Sequence, residues 1–329
     1  MKLNYGLNLG GWLSQCSSFD SDFIREKDFQ IIHKMGYDHV RVPLDHDIFE
    51  REDAKETLRN AVVWARNNGL NMIIDLHSAP GYRFDVAEGE KNLLFSEPAL
   101  QETFLNIWDE IAGIYGDERH LAFELLNEVF EEDVIDVWND LIRRATAVIR
   151  KHSGNPIIYG GVQWNRPGKL KFLELPKDPN VIFTFHFYDP ICFTHQQAGW
   201  VAGIDKGIVV HYPDDMNLYR HLSRNLGAED QVTGSRVNDV GMPYLEEQIG
   251  EAVIAARKAG VPLYCGEYGV IDCAPVEDEL RYLRLLNEYF DAHGIGRAQW
   301  SYRGMGFGLM EKRLDPFREE IAGMCKLNG

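Results

Sequence analysis

The chain has 329 residues, of which 45% are hydrophobic and 26% charged, and its formal net charge is −17 at pH 7. A chain of this length and composition can bury a large core, so the fold needs neither disulfides nor a structural metal. The acidic balance argues against nucleic acid or an anionic membrane as partner, because both require a basic face, and it is compatible with a neutral polymer. The sequence holds no apolar run of membrane-spanning length.

Five cysteines are present, an odd number, and no two have the spacing of a zinc finger or a redox pair. We therefore expect small buried side chains in a reducing compartment. The chain starts with Met1-Lys2-Leu3-Asn4 and enters an apolar-patterned strand at once, without the basic and apolar regions of a signal peptide. This start predicts a cytoplasmic protein unless a leader has been removed, and we expect a monomer.

Short apolar runs alternate with longer amphipathic stretches along the chain. The predicted strands are Tyr5–Leu9, His39–Pro43, Met72–His77, Leu121–Asn127, Ile157–Gly160, Val181–Tyr188, Pro262–Glu267 and Arg297–Tyr302. The predicted helices are Phe23–Met35, Ala54–Asn68, Gln101–Tyr115, Val134–His152, Tyr244–Ala259, Asp278–Ala292 and Asp315–Cys325. Several strands are apolar almost throughout, which is typical of parallel strands covered on both faces.

Eight strands in this rhythm predict an α/β fold, a closed (β/α)8 TIM barrel that forms one domain over residues 1–329. A doubly wound open sheet is the second interpretation. It is disfavoured because Gly10-Gly11-Trp12 after the first strand does not match the Gly-x-Gly-x-x-Gly phosphate turn.

One connection is much longer than a usual βα loop. Residues 190–243 follow the sixth predicted strand and contain Trp200 and several glycines and prolines. Because βα loops of a barrel lie at the carboxyl ends of the strands, where active sites are found, we expect this segment to be a lid or small subdomain over that face.

Two glutamates stand at the ends of two different predicted strands. Glu128 closes the run Leu125-Leu126-Asn127-Glu128, and Glu267 closes Tyr264-Cys265-Gly266-Glu267. A pair of carboxylates is the minimum equipment for cutting a glycosidic bond, since one must protonate the leaving oxygen while the other attacks the anomeric carbon or activates water. Glu124 lies earlier on the same strand as Glu128, so we interpret it as a structural carboxylate that pairs with a buried cation or histidine.

The sixth strand carries a polar file at every second position, which includes His186 and Tyr188. Phenylalanines occupy the alternate positions and are predicted to face the helical layer. A polar inward file near a strand end favours a functional site over a packed core.

Three further strands supply candidate side chains. Arg41 lies within an apolar strand, where its charge is costly unless it stabilises a carboxylate. His77 ends the third strand before Pro80-Gly81 turns the chain away, and Trp300 follows the eighth as a flat surface on which a sugar ring can stack. Among the other aromatic residues Trp12, Tyr82, Trp164 and Trp200, the predicted cleft-lining side chains are Trp12 and Trp200.

Taken together, these residues resemble the cellulase family, glycoside hydrolase family 5. The ordered set that carries the resemblance is Arg41, His77, Asn127, Glu128, His186, Tyr188, Glu267 and Trp300. Within the family the closest similarity is to clostridial-type endoglucanases, some of which lack a signal peptide and carry an insertion after strand six. The opening Asn8-Leu9-Gly10-Gly11-Trp12-Leu13 also resembles fungal exo-β-1,3-glucanases, so linkage preference stays open.

The resemblance implies retaining hydrolysis of β-1,4 linkages in cellulose-type and mixed-linkage glucans by double displacement. Glu267 is then the nucleophile and Glu128 the acid/base, Arg41 and Tyr188 support Glu267, and Asn127 binds the sugar 2-hydroxyl. His77 and His186 position hydroxyls or carboxylates, and Trp300 floors the subsite of the attacked ring. The resemblance also implies a cis peptide bond after Trp300.

Several alternatives remain open at this point. β-Mannanase, xyloglucanase and β-1,3-glucanase would use the same catalytic pair, because specificity lies in loops. A carbohydrate-binding barrel without activity would be expected to lack one carboxylate, and both are present. A metal-dependent barrel hydrolase would require a His-x-His on strand one, which is absent, so we expect neither metal nor cofactor.

Overall fold

The computed structural model describes residues 1–86, 91–226 and 231–324. Eight parallel strands form a closed barrel in the order of the chain, which confirms the predicted (β/α)8 architecture. The strands are β1 Tyr5–Asn8, β2 His39–Leu44, β3 Asn71–Leu76, β4 Leu121–Glu124, β5 Ile157–Gly160, β6 Val181–His186, β7 Leu263–Tyr268 and β8 Gly296–Gln299.

The helices lie around this barrel. In chain order they are α1 Glu26–Met35, α2 His46–Phe49, α3 Glu52–Asn67, α4 Pro98–Tyr115, α5 Ile135–Ile149, α6 Val162–Asn165, α7 Ile191–Thr194, α8 Met216–Leu222, α9 Met242–Ala259, α10 Val276–His293 and α11 Arg318–Met324. Within the described ranges, 3-10 helices are found at Pro167–Phe172, Ser223–Asn225, Val232–Gly234 and Lys312–Leu314. The predicted last helix, Asp315–Cys325, begins later than predicted, and Cys325 lies outside the described residues.

Local sequence explains where the long helices start and stop. Pro98 opens α4, where its fixed φ suits the first turn and its missing N–H leaves no bond unmade. Glycines end α1, α9 and α10 in the left-handed conformation that residues with a Cβ rarely adopt. The apolar faces of these helices pack on the outside of the barrel, where the largest core cluster lies.

The barrel closes where β8 pairs with β1, with Tyr5 opposite Arg297 and Leu7 opposite Gln299. Inside the barrel, away from the site, a small apolar cluster fills the space with Ile73, Ala122, Ile158, Tyr264 and Ala298. The strand register shifts between Phe185 and His186 and again within β7. Such irregularities bend a strand and redirect its side chains, and these two flank the carboxyl ends of β6 and β7.

Two connections depart from the repeating pattern. Residues 161–180, between β5 and β6, hold only the four-residue α6 and the 3-10 helix Pro167–Phe172 where a barrel has a full helix. The segment predicted as an insertion, 190–243, does follow β6 and contains short helices, with residues 227–230 outside the described part of the chain. Its function as a lid stays a prediction.

The sequence predicted that the cysteines are buried and that no segment spans a membrane. Cys192 of α7 and Cys265 of β7 are buried as expected, whereas Cys273 is exposed and Cys16 half-buried, and the last two lie in loops outside the helices and strands. Among the described residues no disulfide joins any of these four cysteines, and the fifth, Cys325, lies outside the described ranges. Among the helices of the described ranges, none is both long and apolar enough to cross a membrane.

Candidate active site

The two glutamates singled out in the sequence meet at the carboxyl end of the barrel. One carboxylate oxygen of Glu128 and one of Glu267 lie within 4.8 Å of each other and of a ring nitrogen of His186. Glu267 belongs to β7, whereas Glu128 lies four residues beyond the end of β4 at Glu124. The predicted strand Leu121–Asn127 was therefore too long, although Leu125 and Asn127 still donate backbone hydrogen bonds to Ile158 and Leu76.

A single buried cation organises the centre of the site. The Arg41 side chain has no exposed surface and donates from Nε to Glu124 at 2.7 Å and from Nη1 to Glu267 at 2.8 Å. Its Nη2 lies 3.0 Å from Asp75 and 2.9 Å from the Asn127 carbonyl oxygen. Burial alone would lower the pKa of Arg41, but the three carboxylates raise it well above its ordinary value. The guanidinium therefore stays charged beneath the cleft.

Glu124 is the structural carboxylate that the sequence predicted, and its partner is Arg41. The two side chains form a two-pronged ion pair with N–O distances of 2.7 and 3.1 Å, and both are fully buried. Burial raises the pKa of Glu124, while the adjacent guanidinium opposes that rise. This pair anchors β2 to β4 and fixes the plane of the guanidinium that faces Glu267.

Glu267 lies in a polar, charge-compensated environment. Arg41 holds one carboxylate oxygen, and the Tyr188 hydroxyl donates to the other at 3.0 Å. His186 Nδ1 lies 3.7 Å away. Arg41 and Tyr188 thus fix both oxygens of this carboxylate with a cationic and a phenolic donor, a setting that suits a carboxylate nucleophile.

Glu128 has different neighbours. Its Oε1 lies 2.6 Å from Nδ1 of His186, and its side chain retains 12% exposure toward the cleft. Burial raises the pKa of Glu128 to about 7, and burial lowers the pKa of His186 to about 4. A neutral imidazole thus faces a carboxyl group that holds its proton near neutral pH, which is the state a general acid needs.

His77 and Trp300 form one side of the cleft. Their rings are parallel, 9° apart, with centroids 6.0 Å from each other. Nδ1 of His77 lies 2.7 Å from Asp75, which leaves Nε2 on the opposite side of the ring. Burial would lower the pKa of His77, but the charge of Asp75 raises it overall.

Trp300 follows β8 directly, and the Trp300–Ser301 peptide bond is cis, as predicted. Glycines make room for this residue. A Cβ on Gly10 would lie 2.7 Å from Cη2 of the indole, and a Cβ on Gly269 would lie 2.3 Å from the Trp300 carbonyl oxygen. Gly10 of the first loop and Gly269 therefore allow the close packing of Trp300.

Asn127 lies beside the acid/base candidate and is 1% exposed. Its Oδ1 accepts from Arg41, and its buried Nδ2 donates no hydrogen bond to the described protein atoms. Because the amide oxygen is fixed by Arg41 and the amide nitrogen still has donors available, the side chain is suited to bind a hydroxyl group.

The aromatic predictions were partly wrong. Trp12 has no exposed surface and packs in the core, so it does not line the cleft. Trp200 is 66% exposed, and its Cη2 lies 3.9 Å from the position that a Cβ on Gly306 would take. Trp164, which was not among the predicted cleft-lining side chains, stacks on Phe130 with an interplanar angle of 19°. Phe130 lies two residues beyond Glu128. The neighbour of Trp164, Asn165, which was not anticipated from sequence, approaches Nε2 of His186 at 3.5 Å.

Residues of the inserted segment contact the side chains of the site. His195 packs edge-on against Tyr188 with centroids 4.9 Å apart, and Ala198 packs with Trp300 and Phe307. Within the described residues, the one acidic and histidine cluster with spacing suited to a cation is Glu128, His186 and Glu267.

Comparisons with known proteins agree with this geometry. A family profile described as cellulase (glycosyl hydrolase family 5) matches residues 7–306. Cellodextrinase A of Ruminococcus flavefaciens is 36% identical over 303 residues, which cover 89% of this chain and 83% of that protein. Endoglucanase C of Acetivibrio thermocellus is 34% identical over 338 aligned positions, and the alignment covers 97% of this chain and 96% of that protein. Endoglucanase Cel5A of Thermotoga maritima, a crystal structure at 26% identity, superposes with a TM-score of 0.74 over 98% of this chain and 97% of its own.

Proposed function

The chain belongs to the cellulase family, glycosyl hydrolase family 5, and from this membership we propose that it is an endo-acting, retaining β-glucanase. Its substrates are cellulose-type and mixed-linkage β-1,3-1,4-glucans, in which it cuts β-1,4 linkages. The observation that carries the proposal is the pair Glu128 and Glu267, whose nearest oxygens lie within 4.8 Å, with the pKa of Glu128 raised by burial and Glu267 bound to the Arg41 guanidinium. Retaining enzymes hold their carboxyl groups about 5–5.5 Å apart, whereas inverting enzymes need about 6.5–9.5 Å to admit a water molecule.

The reaction proceeds in two displacements. Glu267 attacks the anomeric carbon and forms a glycosyl ester while Glu128 gives its proton to the departing glycosidic oxygen. Glu128, now ionised, takes a proton from water, and the resulting hydroxide displaces Glu267 with net retention. Because the Glu128 pKa is raised to about 7 by burial, the group can release and regain a proton near neutral pH.

The surrounding residues bind the sugar and set the carboxylates. The free Nδ2 of Asn127 binds the 2-hydroxyl, a contact that strengthens as the ring flattens toward the transition state. The Nε2 side of His77 faces hydroxyls of the same ring, and Trp300 forms its floor. Arg41 and Tyr188 hold Glu267, while His186 orients Glu128.

The segment 190–243 supplies one wall of the cleft through His195, Ala198 and Trp200. Contacts of the first two with Tyr188 and Trp300 support this placement. Trp200 then extends the sugar-binding surface outward from Trp300, since an exposed indole offers an apolar face for stacking. Trp200→Ala should weaken binding of cellohexaose by about tenfold and leave cellobiose unchanged. Equal affinities of wild type and variant for cellohexaose would remove Trp200 from the site.

Reducing-sugar release from a panel of polymers tests the proposal. Carboxymethylcellulose and barley mixed-linkage glucan should be cut, and Glu267→Ala should abolish the activity. Activity confined to laminarin, glucomannan or xyloglucan would keep the mechanism and change the substrate. NMR of the first product should show the β anomer, and an initial α anomer would contradict retention. Wild-type inactivity on every polymer would leave a carbohydrate-binding barrel.

A further inference from the structure

The backbone at Glu128 has an unusual conformation. Its φ is +43°, in the left-handed region that residues with a Cβ avoid. The residue lies beyond the end of β4, so the hydrogen-bond ladder of the sheet does not hold it. A carboxyl group that must meet the leaving oxygen within a fraction of an ångström therefore depends on contacts outside the strand.

The hydroxyl of Tyr82 provides two such contacts. It donates to the carbonyl oxygen of Glu128 at 2.6 Å and accepts from the backbone N–H of Phe130 at 3.2 Å. One phenolic oxygen thus acts as donor and acceptor at once and bridges the two peptide groups on either side of Val129. The N–H of Trp164 completes the clamp by donating to the Val129 carbonyl at 3.1 Å.

Tyr82 is itself firmly held. It ends the Ala79-Pro80-Gly81-Tyr82 turn, in which the Tyr82 N–H donates to Ala79 at 2.8 Å and the Ala79 N–H donates back at 3.1 Å. Gly81 takes φ +76°, which suits a glycine after proline in a tight turn. The ring is 1% exposed and packs edge-on against Phe95 at 5.6 Å.

We propose that Tyr82 is a positioning residue for general acid catalysis, which sets the Glu128 carboxyl toward the leaving-group oxygen by fixing the backbone of residues 128–130. Tyr82 does not contact the sugar. It acts through the two backbone atoms it bridges, so its loss should impair proton delivery more than substrate binding. This inference rests on the proposed function of Glu128.

Tyr82→Phe removes the hydroxyl and keeps the ring. The informative quantity is kcat/KM for two substrates, cellotetraose and 2,4-dinitrophenyl β-cellobioside, because it reports the first displacement. Departure of the dinitrophenolate needs no proton, whereas departure of a sugar alkoxide does. We expect kcat/KM for cellotetraose to fall roughly 10- to 100-fold, the scale of a misplacement of about 1 Å. The value for the activated glycoside should change less than about threefold.

Tyr212→Phe is the matched control. Tyr212 is also buried, and its hydroxyl also donates to a backbone carbonyl, that of Val240, at 2.6 Å. Both variants should lose similar thermal stability, as measured by circular dichroism, but Tyr212→Phe should leave both kcat/KM values unchanged.

Three results would overturn the inference. Equal losses on both substrates would reduce Tyr82 to a structural role, as would a cellotetraose value within twofold of wild type. The same leaving-group-dependent loss in Tyr212→Phe would show that the effect is not local. If Tyr82→Phe does not fold, 4-aminophenylalanine at position 82 replaces the hydroxyl by an amino group that is both a weaker donor and a weaker acceptor. It should give a smaller loss in the same direction, and unchanged kinetics would contradict the idea. Wild-type inactivity on both substrates would instead reject the proposed function, and this inference with it.

Discussion

The ends of β4 and β7 each present one glutamate to the same cleft, but the two carboxyl groups have different neighbours. Glu267 lies within β7 and receives a guanidinium and a phenolic hydroxyl. Glu128 lies beyond its strand, in a left-handed backbone conformation, and faces a neutral imidazole. The same residue type is thus set for two tasks by its neighbours, since Glu267 is bound directly to the Arg41 cation, whereas burial beside a neutral imidazole raises the pKa of Glu128.

The sharpest way to break this comparison is to remove each carboxylate in turn. Glu267→Ala should lower kcat by roughly 10⁴-fold or more, on the scale of losing a covalent nucleophile. With added azide, Glu267→Ala should give an α-glycosyl azide, because azide occupies the vacated face. Glu128→Ala should give a β-glycosyl azide from the covalent intermediate. NMR of the products assigns the anomer, and exchanged anomers would reverse the two roles.

The next largest effect concerns the cation. Arg41→Met would leave Asp75, Glu124 and Glu267 buried without their shared partner, which should cost about 3–5 kcal/mol of the free energy of unfolding. Urea unfolding measures this change. Arg51→Met is the control, because the Arg51–Asp53 pair is exposed and exposed pairs contribute little. Similar urea midpoints for Arg41→Met and wild type would show that the three carboxylates do not depend on Arg41.

A smaller, pH-dependent effect should appear at Glu128. Its folded pKa is raised to about 7, so its contribution to stability is present below the unfolded value near 4.5 and is lost as the pH rises through about 7. Glu128→Gln should therefore stabilise the protein at pH 8, by on the order of 2 kcal/mol, and have little effect at pH 4. Glu50→Gln, at an exposed position, controls for the loss of one negative charge. Equal gains at both pH values would mean that burial does not set the Glu128 proton.

The smallest expected effect concerns the Trp300 indole, which forms one side of the cleft. Gly10→Ala places a Cβ 2.7 Å from the Trp300 indole, which must then shift. We expect kcat/KM for cellotetraose to fall about tenfold, or about 1.4 kcal/mol. Gly154→Ala is matched to it, since no heavy atom lies within 4 Å of the added Cβ. Unchanged kinetics in Gly10→Ala would show that the indole position is not critical.

Much of the fold and of the charged site could be predicted from sequence because each depends on short patterns. Apolar runs followed by a polar residue located the strand ends, and the His186 and Tyr188 file followed from the two-residue period of a strand. Arg41 was identifiable because a charge inside an apolar run needs partners. That Glu124 is one of those partners required the register of β2, β3 and β4.

What escaped prediction depends on tertiary packing and on rare backbone conformations. Residue type does not tell whether an indole faces core or cleft, so neither the burial of Trp12 nor the stacking of Trp164 on Phe130 could be predicted from the sequence. Gln163, Trp164 and Asn165 all have φ between 54° and 56°, a left-handed turn without glycine that no propensity indicates. Tyr82 was considered as an aromatic surface, whereas its hydroxyl makes the informative contacts.

The pairing of β1 with β8, which closes the barrel, has a consequence for synthesis of the chain. Asn8 of β1 donates to the carbonyls of Gly266 and Ala298, and its own oxygen accepts from Arg41 at 3.0 Å. A nascent chain that has emerged through β7 already carries Arg41, Glu128 and Glu267, yet it lacks the β8 carbonyl and the indole that complete their setting. Catalytic competence should therefore arise only when the last strand leaves the ribosome, so that barrel closure and the start of activity are one event.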